Sequence, residues 1–323
     1  MKWKYSVGLL LFFLIFMTGC SSSDEKETKN TEAPQQTTED NRKFETVAAS
    51  PKQLEQLQGI GYPGNDDGLY IATTDGLKIY RENKWFENTA ENHNFYGFSA
   101  VSDGFYTSGM KANASKDNNA ALGVSKSTDK GATIQPVSLS GKEAFQFLSA
   151  GYKTETLYLI QQEDSNELAQ GVYISNDGGK SWDPLALNGM DANTLGMIAP
   201  HPEDNEIMAM ATRSGIYLSE DSGESMELIS DPVMVTALAF SNDTLFYSSV
   251  ENEKIKLNKL DLESRKIEEI DIPFLKYDNP ITFITVNQNS EQTVAFSTYL
   301  SDVYETTDLG ESWSLLLSNG RIE

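Results

Sequence analysis

From about residue 60 onward the chain is built of short apolar runs separated by clusters of Gly, Asp, Asn and Ser, and a 3.6-residue period is hard to find. Residues 195–199 run into a turn at Pro200-His201-Pro202, and three further runs follow at 207–212, 215–219 and 226–229. The same scheme returns at 281–286, 293–298, 303–306 and 313–317. Runs of this length, bounded by turn residues, predict strands, four to each unit.

The units announce themselves by a motif. Its clearest copy is Ser175-Asn176-Asp177-Gly178-Gly179-Lys180-Ser181-Trp182. Weaker copies place Ser127, Asp129, Gly131 and Thr133, then Ser219, Asp221, Gly223 and Ser225, then Thr306, Asp308, Gly310, Ser312 and Trp313 at the matching positions. Their starts are 48, 44 and 87 residues apart, the last being about two periods. A fixed period of this size marks a repeat architecture. The missing unit falls near residue 263, where Asp261-Leu262-Glu263-Ser264 reads as a plain hairpin turn. One period before Ser127, the hairpin Arg81-Glu82-Asn83-Lys84-Trp85 keeps only the tryptophan. The expected fold is therefore all-β, a β-propeller of about six four-stranded blades, with seven possible if residues 44–56 build an irregular blade.

Ser/Thr-x-Asp-x-Gly-x-Ser/Thr-Trp resembles the Asp-box, or BNR repeat, of sialidases, sortilin-type receptors and photosystem II assembly-factor propellers. The resemblance implies a hairpin joining the third and fourth strands of a blade, on the outer rim. The residue types suit that place: Asp accepts backbone N–H bonds, Gly supplies a positive φ, and Trp packs between sheets. Four rim turns in different blades cannot converge on one substrate, so Asp129, Asp177, Asp221 and Asp308 are read as structural. The stretches 68–77 and 96–109 also look like segments of bacterial glycosyl-hydrolase-like proteins. Those relatives commonly carry histidines where Thr74 and Met110 stand here, which implies that any histidine pocket of theirs is dismantled in this chain.

Composition adds a location. Lys2 and Lys4 precede an apolar run at 7–17 that would span about 16 Å as a helix, half the ~30 Å of a bilayer core. That is the length of a signal-peptide core. Met17-Thr18-Gly19-Cys20 resembles the lipobox of bacterial lipoproteins, which implies cleavage before Cys20 and acylation of its thiol. Residues 1–19 are then a signal peptide, 20–43 the acylated Cys and a polar linker, and 44–323 the propeller. The chain is expected to be lipid-anchored on the outer face of the cell membrane, in a Gram-positive envelope by the composition of the linker. Loss of Lys2 and Lys4 with the leader takes the formal charge from −23 to −25. With 48 acidic against 25 basic residues, the surface would repel nucleic acid and anionic lipid alike.

Candidate chemistry is sparse. Of five arginines, Arg42 and Arg321 lie near the termini and Arg81 and Arg265 on outer hairpins, which leaves Arg213 and excludes the arginine cluster of a sialidase. The two histidines, His93 and His201, and one acylated Cys offer no metal set, so no metal and no cofactor is expected. Asn65-Asp66-Asp67-Gly68 and Glu203-Asp204-Asn205 do not fit the calcium-loop spacing. Catalytic residues are not identifiable, because 48 acidic residues allow many carboxylate pairs. Two readings follow: a non-enzymatic module that binds a protein, peptide or glycan of the envelope, or a glycoside hydrolase with two carboxylates at the propeller axis. Tyr96, Phe98, Phe105 and Tyr106 are the candidate ligand-binding aromatics. Facing carboxylates in the channel favour the enzyme; an apolar lining favours the binder.

Overall fold

The computed structural model describes residues 46–323 apart from 90–91, 113–118 and 193. The leader, Cys20 and the linker lie outside the described residues. No α-helix occurs among the described residues.

Among the described residues, six antiparallel blade sheets follow one another in chain order, with a two-stranded sheet of Lys52–Gln53 and Arg321–Ile322 beside them. Two short strands, β1 (Thr46–Ala48) and β2 (Lys52–Gln53), come first. Blade one is β3 (Leu57–Gly61), β4 (Leu69–Thr73), β5 (Gly76–Arg81) and β6 (Lys84–Asn88). Blade two is β7 (Asn94–Val101), β8 (Gly104–Met110), β9 (Val124–Ser127) and β10 (Gln135–Ser138). Blade three is β11 (Phe147–Ala150), β12 (Leu157–Gln161), β13 (Gly171–Ser175) and β14 (Asp183–Pro184). Blade four is β15 (Leu195–Pro200), β16 (Met208–Thr212), β17 (Gly215–Ser219) and β18 (Glu227–Leu228). Blade five is β19 (Met234–Phe240), β20 (Thr244–Glu251), β21 (Lys254–Asp261) and β22 (Ile267–Ile270). Blade six is β23 (Ile281–Val286), β24 (Val294–Thr298), β25 (Val303–Thr306) and β26 (Ser314–Leu317), and β27 (Arg321–Ile322) closes the chain. Each blade is an up-and-down meander whose first strand packs against the first strands of its neighbours, blade six against blade one.

The seventh blade does not form. β1 instead adds a fifth strand to the outer edge of blade one, with Thr46 opposite Asn88. β2 pairs with β27, Lys52 opposite Ile322, and fastens the two ends of the ring. The reason is length: after three residues on blade one and two on β27, the segment has nothing left for a meander.

The apolar pattern explains the assembly. Second strands are buried on both faces and so read as continuous apolar runs. Alternation then sends neighbouring residues into different cores. Met208 and Met210 of β16 pack toward blade three, and Ala209 and Ala211 toward blade five. The buried apolar residues accordingly fall into six clusters, one for each junction between blades.

The ring has two distinct ends. Inner strands begin at one, here the mouth end, and finish at the other, the turn end, where the four Ser/Thr-x-Asp hairpins lie. At the turn end, blades are linked by Gly64 N–H to Val101 O (3.0 Å), Ser102 N–H to Tyr152 O (2.8 Å) and Lys153 N–H to Pro202 O (2.7 Å). His201 Nε2 with Asn242 O (2.6 Å) and Gln288 Nε2 to Phe240 O (2.7 Å) continue the girdle.

Candidate functional site

Six inner strands enclose an axial channel of about 440 Å³. Its wall carries a small residue at the same level in blades two to six, and Gly61 holds the matching register position in blade one. Gly61, Ser99, Ser149, Ala199, Ala239 and Thr285 stand opposite Tyr70, Tyr106, Tyr158, Ala209, Phe246 and Ala295 of their own second strands. Small side chains let the strands close around the axis: a Cβ on Gly61 would come within 2.7 Å of Ala100 Cβ. The serines also link blades. Ser99 Oγ accepts from Ala150 N–H (2.9 Å), and Ser149 Oγ donates to Ile198 O (2.6 Å).

The lining is uncharged over almost its whole length. Gln56, Gln58 and Tyr96 border the mouth end with Gln146 and Tyr299; Tyr62, Tyr152 and Gln288 border the turn end. Phe98, Phe147, Phe240 and Phe283 supply the apolar surface between them. Among the described residues, Glu55 is the one carboxylate-bearing residue of the lining, and no Arg, Lys, His or Asp belongs to it. Burial raises the hydroxyl pKa values of Tyr62, Tyr152 and Tyr158, assisted at Tyr62 by the Glu305 carboxylate that accepts its hydrogen bond at 2.7 Å. These phenols stay neutral in the physiological range.

The candidate aromatics separate. Tyr96 and Phe98 line the channel. Phe105 is fully buried between blades one and two, its ring 5.1 Å from that of Phe98, and Tyr106 packs between blades two and three beneath Lys126. Both belong to a second strand, whose two faces are covered by neighbouring blades, so neither is part of the channel lining. Tyr299 and the glutamines of the lining were not singled out by sequence. The signal available for the channel was the repeated small residue of the inner strands.

The four Asp turns repeat one geometry. Ser175 Oγ donates to Asp177 Oδ1 (2.8 Å) and accepts from Gly179 N–H (2.8 Å), while Asp177 accepts from Ser181 N–H (3.0 Å) and Ser181 Oγ (2.7 Å). Ser127 with Asp129 and Gly131, Ser219 with Asp221 and Gly223, and Thr306 with Asp308 and Gly310 make the matching bonds. These donors hold Asp177 well below the usual carboxylate range, and those from Ser312 and Thr306 bring Asp308 to about 2. Gly131, Gly179, Gly223 and Gly310 all have φ between +85° and +98°. The tryptophans reach back one blade: Trp182 Nε1 donates to Ser138 Oγ (3.1 Å) and Trp313 Nε1 to Asp271 O (2.8 Å). Trp85 Nε1 does the same to Leu316 O (3.2 Å), across the closure of the ring.

The remaining candidates are engaged elsewhere. His201 Nδ1 accepts from the N–H groups of Glu203 and Asp204. His93 accepts from Ala112 N–H (3.0 Å) and is not part of the lining. Asp66 is held by Tyr70, Arg81 and Lys130. No group of three or more His, Cys, Asp or Glu suited to a metal occurs among the described residues.

Residues 123–271 match the family model described as Sortilin-Vps10, sortilin, neurotensin receptor 3. No curated protein matches. Among solved structures, an ancestral GH74 enzyme is similar at 14% identity and a TM-score of 0.53, over 82% of this chain and 38% of that one. The chain thus spans well under half the length of that enzyme. U3-55K is similar at 12% identity and a TM-score of 0.51, over 84% of this chain and 83% of that one. YCF48 from Cyanidioschyzon merolae follows at 12% identity and 0.48, over 84% and 87%. At such identities the likeness is one of fold. The fold is a six-bladed β-propeller, and the part of it that matches the sortilin model is residues 123–271, under half of the chain.

Proposed function

We propose that this chain is a lipid-anchored, extracytoplasmic binding module, whose propeller holds a protein, peptide or glycan of the envelope at the mouth of its axial channel. The carrying observation is the lining: an open channel of about 440 Å³ with neutral amides, hydroxyls and aromatic rings, and a single carboxylate. That volume lies in the range of ligand pockets, and mixed apolar walls with a few oriented polar groups are what such pockets use. A two-carboxylate glycosidase needs a second acid across the channel. Glu55 has no such counterpart in the lining, so the geometry supports binding over hydrolysis. In this reading Cys20 carries the acyl chains, and the Ser/Thr-x-Asp turns are Asp-boxes that staple each blade to the one before it.

Two measurements test the reading. Mass spectrometry of the protein from a native envelope should find acyl chains on Cys20, lost in Cys20→Ser. Peptide and glycan fractions of the envelope should be retained by the intact chain and released by Tyr96→Ala or Tyr299→Ala, with Asp177→Ala as an unaffected control. Cleavage of chromogenic glycosides that disappears in Glu55→Gln would replace this reading with the enzymatic one.

A further inference from the structure

The two sides of the channel differ in chemistry. Among the described residues, blades four and five give the lining only apolar side chains, Met197, Ile198, Leu238 and Phe240 among them. The neutral polar side chains of the mouth belong to the four remaining blades, which follow one another round the ring. Tyr299 comes from blade six, Gln56 and Gln58 from blade one, Tyr96 from blade two and Gln146 from blade three. In a ring of six, blades four and five stand opposite blades one and two, so a polar arc faces an apolar wall.

The fold does not use the polar groups of this arc. Among the described residues, none of the five side chains makes a hydrogen bond. The turn end differs: there Tyr62 donates to Glu305 Oε1 (2.7 Å) and Gln288 Nε2 to Phe240 O (2.7 Å). Gln58 and Tyr96 are the extra residues of two strand bulges, between Leu57 and Gly59 and between Phe95 and Gly97. A bulge turns the side chain it carries away from the regular alternation, here toward the channel.

Tyr299 is presented by a pinned turn. Thr298 N–H donates to Asp302 O (2.9 Å), Tyr299 N–H to Pro280 O (2.9 Å) and Leu300 N–H to Asn279 Oδ1 (2.7 Å). The turn is thus held by backbone groups and by Asn279, while the Tyr299 ring is 69% exposed at the edge of the channel. An aromatic ring on a rigid backbone loses little entropy when a ligand covers it.

We infer that the mouth of the channel is a subsite for one end of an uncharged oligosaccharide, with Tyr299 as its stacking surface and the glutamine and tyrosine arc as its hydrogen-bond partners. The inference rests on the binding reading above and narrows its ligand to a neutral glycan. Shape and polarity agree. A sugar ring has an apolar C–H face and a polar edge: the face meets the negative face of an aromatic ring, and the edge carries hydroxyls that both donate and accept. Glutamine amides and tyrosine phenols likewise do both. Charge separates this ligand from its rivals. A peptide entering by a terminus brings an ammonium or a carboxylate, and an acidic glycan brings a carboxylate or phosphate. The lining holds no cation, and its one carboxylate, Glu55, stands exposed at the mouth. Desolvating an unpaired charge in such a channel is costly, whereas a neutral sugar brings none.

The test is calorimetric titration of the full chain with tetrasaccharides of hexose or N-acetylhexosamine units, beside uronate-bearing tetrasaccharides and neutral tetrapeptides blocked at both ends. At least one neutral saccharide should bind, with a Kd that changes less than about twofold between low and high salt. Tyr299→Ala should weaken it at least about tenfold and Gln58→Leu about fivefold, both at the melting temperature of the parent. Tyr299→Phe keeps the ring and should lose less than about twofold. Binding of no neutral saccharide overturns the inference, as does binding of a uronate or a blocked peptide in its place. A saccharide whose affinity survives both Tyr299→Ala and Gln58→Leu overturns it too. The wider reading is decided separately: envelope fractions still retained by the chain leave it standing when the saccharides fail, and fractions that pass unretained remove both.

Discussion

Trp313 of blade six donates its indole N–H to the backbone carbonyl of Asp271, just past the outer strand of blade five, at 2.8 Å. The ring also packs against Phe296, with centroids 4.9 Å apart. The two contacts are separable. Trp313→Phe removes the hydrogen bond and keeps an aromatic ring, so it should lower unfolding stability by about 1 kcal/mol in a urea titration. Trp313→Ala removes both and should cost clearly more. Equal losses would mean that the bond to Asp271 contributes nothing.

The Asp turns give the protein an acid limb. Hydrogen bonds from Ser312 and Thr306 lower Asp308 to about 2, and those from Ser181 and Ser175 lower Asp177 further. A carboxyl whose folded pKa lies below its unfolded one stabilises the fold above the unfolded value and loses that contribution as pH falls through the folded one. The melting temperature should therefore decline between about pH 4 and pH 2. In the double variant Asp177→Asn and Asp308→Asn it should start lower at pH 6 and fall less over that interval. Parallel curves for the two proteins would exclude these turns as the titrating element.

Lys78 is a buried cation with two partners. Its ammonium donates to Glu87 Oε2 (3.0 Å) on the neighbouring strand and to Asp75 O (3.1 Å), and the side chain is fully enclosed. Glu87→Gln leaves the charge in place without its counterion and should destabilise the protein by about 3 kcal/mol. Lys78→Met combined with Glu87→Gln removes the charge as well and should recover most of the loss. A double variant as unstable as Glu87→Gln alone would show that packing around Lys78, not its charge, sets the cost.

The ring was legible in the sequence because its signals are local. Ser175, Asp177, Gly179 and Trp182 lie within one hairpin, and copies 44 or 48 residues away set the blade count. The fate of residues 44–56 was not legible, since β2 depends on a partner at Arg321–Ile322, at the other end of the chain. The site was harder still. Inner strands bulge near their starts, between Leu57 and Gly59, Phe95 and Gly97, and Ile281 and Phe283, and each bulge changes which residues face the axis. The β24–β25 turn and the segment before β23 meet through loop bonds such as Leu300 N–H to Asn279 Oδ1, which no period in the sequence encodes.

Phe105 and Tyr96 give the sharpest separation of fold from site. Phe105 stands in a second strand, packed against Phe98 and Tyr70 in the core between blades one and two, and no part of it meets solvent. Phe105→Ala should therefore cost about 3–5 kcal/mol of stability. Any ligand affinity that survives in the folded fraction should be unchanged. Tyr96 faces the channel from an inner strand and is only half-buried. Tyr96→Ala should leave the melting temperature within a few degrees of the parent and weaken ligand retention at least about tenfold, the loss expected of a central aromatic contact. Thermal denaturation and ligand retention measured on the same two preparations decide the matter. A Tyr96 variant that binds normally, or a Phe105 variant that is stable yet does not bind, would move the site from the channel to the blade junction.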